Sequence, residues 1–198
     1  MTRSVYVIGG AATGKSTFMA SLLDGVEFGP LSDLYSARPS RSLITLRGHW
    51  LEKDDHSWGL YLGVMREQFP GTDGLDRVSH TVASSWLSEE SVLPDRIVGE
   101  GLNLSNEGFL KSLAQRTDLL LVYLTATEET VAARCALRGS EQKPIFLKGS
   151  ASRARNAATA ARSNGIRVIE VSAEDHSELD LAQDLCAMHL QNTEAALF

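Results

Sequence analysis

Residues 9–16 read Gly9-Gly10-Ala11-Ala12-Thr13-Gly14-Lys15-Ser16, a glycine-rich turn of the pattern G-x-x-x-x-G-K-S. No other stretch constrains the chain as tightly. Before it, Ser4 to Ile8 is a β-branched apolar run; after it, Ser16 to Leu23 carries Phe18, Met19, Leu22 and Leu23 on one side of a helix. A backbone passing from buried strand to helix through such glycines curls until successive N–H groups point inward. The positive end of the following helix stands behind them, and together they suit phosphate oxygens. In this pattern Gly9, Gly10, Ala11, Ala12, Thr13, Gly14, Lys15, Ser16 and Thr17 cradle a nucleotide's phosphates. Lys15 reaches the β/γ-phosphates and Ser16 holds Mg²⁺.

The rest of the chain alternates strand-like and helix-like segments. Strands are expected over Arg96 to Gly99, Asp118 to Thr125 and Ile166 to Val171, and helices over Asp76 to Glu89, Glu107 to Gln115, Glu128 to Leu137, Ser150 to Ser163 and Glu178 to Leu190. Such alternation implies a mostly parallel sheet covered on both faces. Gly25 to Ser40 is rich in Gly, Pro and Ser and is expected to be mainly loop. Two β-like runs, Ser42 to Leu51 and Trp58 to Val64, predict a hairpin insertion over about 42–64. With 198 residues, the chain reads as one domain over residues 1–190, a frayed tail over 191–198 and a lid over about 139–148.

Composition excludes several classes. Hydrophobic residues at 43% and charged residues at 22% describe a globular protein, and no apolar run approaches the ~18 residues of a membrane span. Two cysteines are too few for a disulfide framework or a zinc site and, with no cleavable signal at the N-terminus, favour the cytoplasm. The net charge of −6 argues against a dedicated nucleic-acid coat, but its distribution is uneven. Between Val131 and Asn164 stand Arg134, Arg138, Lys143, Lys148, Arg153, Arg155 and Arg162 against one acid, Glu141, so this window is +6 and the remainder −12.

The turn, its flanks and its position at the start of the chain resemble the P-loop NTPases, and within them the small nucleoside- and nucleotide-kinase-like group. The resemblance implies a three-layer α/β/α P-loop fold with a mostly parallel sheet, ATP and Mg²⁺ as cofactors, and phosphotransfer as the reaction. GTPases of this size carry D-x-x-G and N-K-x-D motifs, and neither is present. Glu100, closing Arg96-Ile97-Val98-Gly99-Glu100-Gly101, resembles the strand-end acid of small kinases; it would orient Mg²⁺ or accept the acceptor's proton. Asp73, in Phe69-Pro70-Gly71-Thr72-Asp73, is an alternative base, although the same residues suit a helix-entry turn. Arg134 and Arg138, at i and i+4 before Gly139, match lid arginines that neutralise the transferring phosphoryl group.

Acceptor recognition is expected of Arg47, Trp50, Trp58 and Tyr61 on the hairpin, of Thr72, and of Lys148 and Arg153 beyond the lid, although aromatics on a hairpin equally suit packing. The segments Gly59-Leu60-Tyr61-Leu62-Gly63, Phe69 to Asp73, Val98 to Gly101, Arg138-Gly139 and Lys148-Gly149 resemble phage kinases that phosphorylate 5-hydroxymethyluracil in DNA. That resemblance implies a modified-DNA acceptor, phage origin and the host cytoplasm. A thymidylate-kinase-like enzyme acting on a free nucleotide, another small-molecule kinase and an ATP-gated binding module are the alternative readings.

Overall fold

The computed structural model describes residues 1–38, 42–64, 75, 78–140 and 142–191. Asp73 and Thr72, Arg41, Glu141 and the tail from 192 onward lie outside them. Among the described residues the chain forms seven strands and six helices: β1 (Arg3–Gly9), α1 (Lys15–Leu22), β2 (Glu27–Ala37), β3 (Ile44–Lys53), β4 (His56–Leu62), α2 (Ser79–Glu89), β5 (Arg96–Glu100), α3 (Glu107–Arg116), β6 (Asp118–Thr125), α4 (Glu128–Leu137), α5 (Pro144–Ser163), β7 (Arg167–Ser172) and α6 (His176–Gln191). One sheet runs in the order β2-β3-β4-β5-β1-β6-β7. Its five strands from β4 to β7 are parallel, while β2, β3 and β4 form an antiparallel meander.

Alternation along β1 divides the core into two layers. Tyr6 and Ile8 face a cluster containing Val82 and Trp86 of α2, Phe109 of α3 and Ala154 and Ala158 of α5. Val5 and Val7 face the opposite cluster, with Phe18 and Met19 of α1 and Ala182 and Cys186 of α6. Helices on both faces let β6 remain apolar along its length, the signature of a strand buried on two sides. This is the expected three-layer architecture. Burial pushes the Cys186 thiol up to about 12, so it behaves as a small apolar side chain.

Three local expectations change. Glu27 to Ala37 is an eleven-residue edge strand rather than loop. An edge strand needs hydrogen bonds on one side only, so Pro30 is tolerated there, and the pairing with β3 shifts register between Phe28 and Leu31. The hairpin β3–β4 is therefore the middle of a meander that extends the main sheet. Residues 144–148, expected within a lid, are helical instead, because Pro144 occupies the first turn of α5 and the helix begins there rather than at Ser150.

Where β4, β5 and β1 lie side by side, the sheet leaves little room for side chains. A Cβ on Gly99 would stand 2.9 Å from the Tyr6 ring and 3.3 Å from the Leu62 carbonyl oxygen. Gly99→Ala is expected to push the Tyr6 ring away and cost about 1–3 kcal/mol, read as a lower urea midpoint at unchanged m-value.

Candidate functional site

Parallel register places the site. Val7 of β1 pairs with Glu100 of β5, so Glu100 closes its strand beside the turn that starts at Gly9. Ligands in open α/β sheets bind at this carboxyl edge. The turn is built by close approach: a Cβ on Gly9 would meet Thr13 Oγ1 at 2.6 Å and the Leu124 carbonyl at 2.7 Å. Gly14, the N-cap of α1, has φ 99°, which glycine alone adopts without strain. Ala12 also lies in the left-handed region, at φ 59°. A non-glycine residue held there stores strain that the surrounding bonds must maintain.

Those bonds come from inside and outside the turn. The Thr13 hydroxyl donates to the Gly10 carbonyl at 3.0 Å, and Lys15 Nζ donates to the carbonyls of Gly9 at 3.1 Å and Gly10 at 2.8 Å. Arg134 reaches in from α4: Nη1 donates to the Thr13 carbonyl at 2.9 Å, and Nη2 to the Ala173 carbonyl at 2.9 Å, beyond β7. From α5, Ser150 Oγ accepts the Ala11 N–H at 2.9 Å and donates to the Leu147 carbonyl at 2.8 Å. Arg134, expected as a lid arginine on the transferring phosphoryl group, donates here to main-chain oxygens of the P-loop and of the loop after β7. Arg138 is exposed at the C-cap of α4 and makes no ion pair among the described residues, so the two arginines divide into a structural and a free one.

Glu100 is buried, and its surroundings are polar. Ser16 Oγ donates to its Oε2 at 3.1 Å, the Tyr61 hydroxyl to its Oε1 at 3.3 Å, and the Tyr6 hydroxyl to its main-chain carbonyl at 3.1 Å. An alcohol and a carboxylate oxygen at this separation are hard donors that suit Mg²⁺. No group of three or more His, Cys, Asp or Glu among the described residues could hold a metal alone. A cation here would accordingly draw its other ligands from phosphate and water. Ser16 and Glu100 would hold it.

The hairpin residues separate. Tyr61 is buried on Glu100, and Trp58 packs under the Arg96 guanidinium, 5.2 Å from the ring centroid. Arg47 pairs with Asp33 of β2 at 3.0 Å, and Trp50 is 43% exposed. Lys148 lies 4.0 Å from Glu128, and Arg153 is exposed on α5.

The family model described as P-loop Nucleotide Kinase3 matches residues 1–183. The chain belongs to that family. A P-loop nucleotide kinase of this kind is a phosphotransferase. No curated protein matches the chain. Among solved structures, an unliganded sugar kinase from Janibacter sp. HTCC2649 aligns at 15% identity over 99% of this chain and 98% of its own, with a TM-score of 0.46. Shikimate kinase from Acinetobacter baumannii, in complex with shikimate, aligns at 16% identity over 98% and 96%, also with a TM-score of 0.46. Shikimate kinase from Bacteroides thetaiotaomicron aligns at 12% identity over 96% and 98%, with a TM-score of 0.41. No helix among the described residues is long and apolar enough to cross a membrane.

Three contributors escaped the sequence reading: Ser150, Tyr6 and the loop after β7. The run Gly149-Ser150-Ala151 was a usable signal, since small residues permit close approach, and Ala151 packs against Gly10. The loop is tied down by Glu174, whose carboxylate accepts from Thr127 Oγ1 at 2.6 Å and Thr127 N–H at 2.8 Å. The bond from the Thr127 side chain, aided by Thr130 and the Thr127 backbone, lowers the Glu174 carboxyl from 4.5 to about 2. A depressed carboxylate stabilises the fold above its unfolded value and loses that contribution as pH falls through its folded value. The melting-temperature gap between wild type and Glu174→Gln is therefore expected to be full at neutral pH and to close between about pH 4.5 and pH 2.

Proposed function

We propose that this kinase transfers the γ-phosphoryl group of ATP to an acceptor hydroxyl at the Glu100 edge of the P-loop. The observation that carries this reading is the buried Glu100 carboxylate 3.1 Å from Ser16 Oγ, at the carboxyl end of the strand beside the turn. In the reaction the bond from the γ-phosphorus to the ADP oxygen breaks, a bond to the acceptor oxygen forms, and the acceptor's proton passes to a base. Bound Mg²⁺ supplies neutralisation of the phosphate oxygens. Lys15, held on the Gly9 and Gly10 carbonyls, is positioned to exchange them for phosphate oxygens. The contact with Ser16 favours Glu100 as the metal-side acid, leaving Asp73 as the base.

For the acceptor we propose the 5-hydroxymethyl group of 5-hydroxymethyluracil in DNA. Support comes from the resemblance carried by Gly59 to Gly63, Glu100-Gly101, Arg138-Gly139 and Lys148-Gly149. The exposed Trp50 offers a stacking surface, and Arg138, Lys143 and Arg153 are exposed cations. The burial of Tyr61 and the packing of Trp58 reduce the aromatic platform to Trp50, which leaves a free nucleotide as the rival acceptor.

Lys15→Ala is expected to fold normally and lose about 10²-fold or more in transfer, and near-wild-type turnover would remove the P-loop assignment. Glu100→Gln is expected to raise the Mg²⁺ concentration needed for half-maximal rate, measured as transfer against Mg²⁺. Label from γ-³²P-ATP is expected in hydroxymethyluracil oligonucleotides and to decline steeply with salt. Label in dTMP but not in the modified oligonucleotide would replace the DNA acceptor with a free nucleotide.

A further inference from the structure

One peptide plane ties the phosphate turn both to Lys15 and to α5. The carbonyl of Gly10 and the N–H of Ala11 belong to the same amide, which is planar and trans, so they point in opposite directions. The carbonyl accepts from Lys15 Nζ at 2.8 Å and from the Thr13 hydroxyl at 3.0 Å. The N–H donates to Ser150 Oγ at 2.9 Å, across 139 positions of chain. Rotating this plane would carry the N–H off Ser150 and the carbonyl off Lys15 together.

Ser150 is placed to hold the plane still. It is 1% exposed and lies within α5, which begins at Pro144. A serine hydroxyl has one proton to give, and Ser150 gives it to the Leu147 carbonyl, three residues back, at 2.8 Å. That bond to its own helix directs the hydroxyl, and the oxygen is left to accept from the turn. The approach is possible because Gly10 has no side chain: a Cβ there would stand 3.3 Å from Ala151 Cα and 3.4 Å from Ala151 N.

We propose that Ser150 is a positioning residue for Lys15. By fixing the Gly10–Ala11 peptide it aims the Gly10 carbonyl at the ammonium, and so sets where Lys15 stands when phosphate arrives. An ammonium has three N–H groups, so Lys15 can keep this carbonyl while it turns the others to phosphate oxygens. The proposal rests on the reading of Lys15 as the phosphate-binding lysine. It adds a residue from the far end of the chain that acts on phosphate without touching it.

The test is calorimetric titration of the full chain with ATP and Mg²⁺, with a melting curve recorded for each variant. Ser150→Ala is expected to bind ATP about 5- to 20-fold more weakly. Ser150→Thr, whose hydroxyl can bond the same carbonyl three residues back, is expected to stay within about threefold of wild type. Ala158→Gly changes a core position about two turns further along α5. It is expected to lower the melting temperature and leave ATP affinity unchanged, which separates positioning from a general loosening of the helix. On a Lys15→Ala background, adding Ser150→Ala is expected to cost less than about threefold more, because the two residues act as a unit. Wild-type affinity in Ser150→Ala, an equal loss in Ser150→Thr or Ala158→Gly, or the full loss repeated on the Lys15→Ala background would overturn the proposal. Wild-type affinity in Lys15→Ala alone would instead remove the reading of Lys15 on which it rests.

Discussion

The site depends on main-chain groups of one turn being held by side chains from distant parts of the chain. A phosphate cradle needs several N–H groups converging on one point, and convergence leaves the corresponding carbonyls crowded outward. Arg134 takes the Thr13 carbonyl, Lys15 takes those of Gly9 and Gly10, and Ser150 takes the Ala11 N–H. Each donor or acceptor comes from a different helix. The strained φ of 59° at Ala12 persists because the residues around it are fixed in this way.

The same bonds connect the layers. Arg134 also donates to the Ala173 carbonyl, and Glu174 holds the N-cap residue of α4, so the loop after β7, the start of α4 and the P-loop form one hydrogen-bonded unit. α5 is attached by Ser150 and by the contact of Ala151 with Gly10. On the other side of β1, Tyr6 and Tyr61 fix the two ends of Glu100, its main-chain carbonyl and its carboxylate. The two tyrosines come from opposite layers of the core. An acid so enclosed has little freedom to swing, which suits a fixed partner for Ser16 and a metal more than a mobile proton acceptor.

Much of this was legible in the sequence, for physical reasons that differ by element. β6 and α4 were delimited to the residue, because an unbroken apolar run and a Thr-Glu-Glu helix start leave few alternatives. The turn was legible because its chemistry demands particular residues in order. β2 was not: its side chains are mostly exposed or half-buried, so neither alternation nor apolarity marked it, and Gly29-Pro30 argued for loop. The spacing of Arg134 and Arg138 suggests lid arginines, yet spacing carries no information on whether a guanidinium meets a phosphate or a carbonyl. Tyr61 was assigned to acceptor binding as an aromatic beside arginines. A residue's burial depends on which strand it pairs with, and β4 lies against β5 rather than at an edge.

The charge distribution gains meaning once side chains are placed. Of the seven cations between Val131 and Asn164, Arg134 is taken by main-chain carbonyls, Arg162 by Glu170 at 2.8 Å, and Lys148 loosely by Glu128 at 4.0 Å. Arg138, Lys143, Arg153 and Arg155 remain without ion pairs among the described residues. Arg138 caps the end of α4 and Lys143 the start of α5, whereas Arg153 and Arg155 lie two residues apart on α5, a spacing that directs them to different faces of the helix. Arg155 lines the cavity between α4 and α5, and Arg153 does not. The basic window therefore presents its unpaired cations at several points on the surface of α4 and α5.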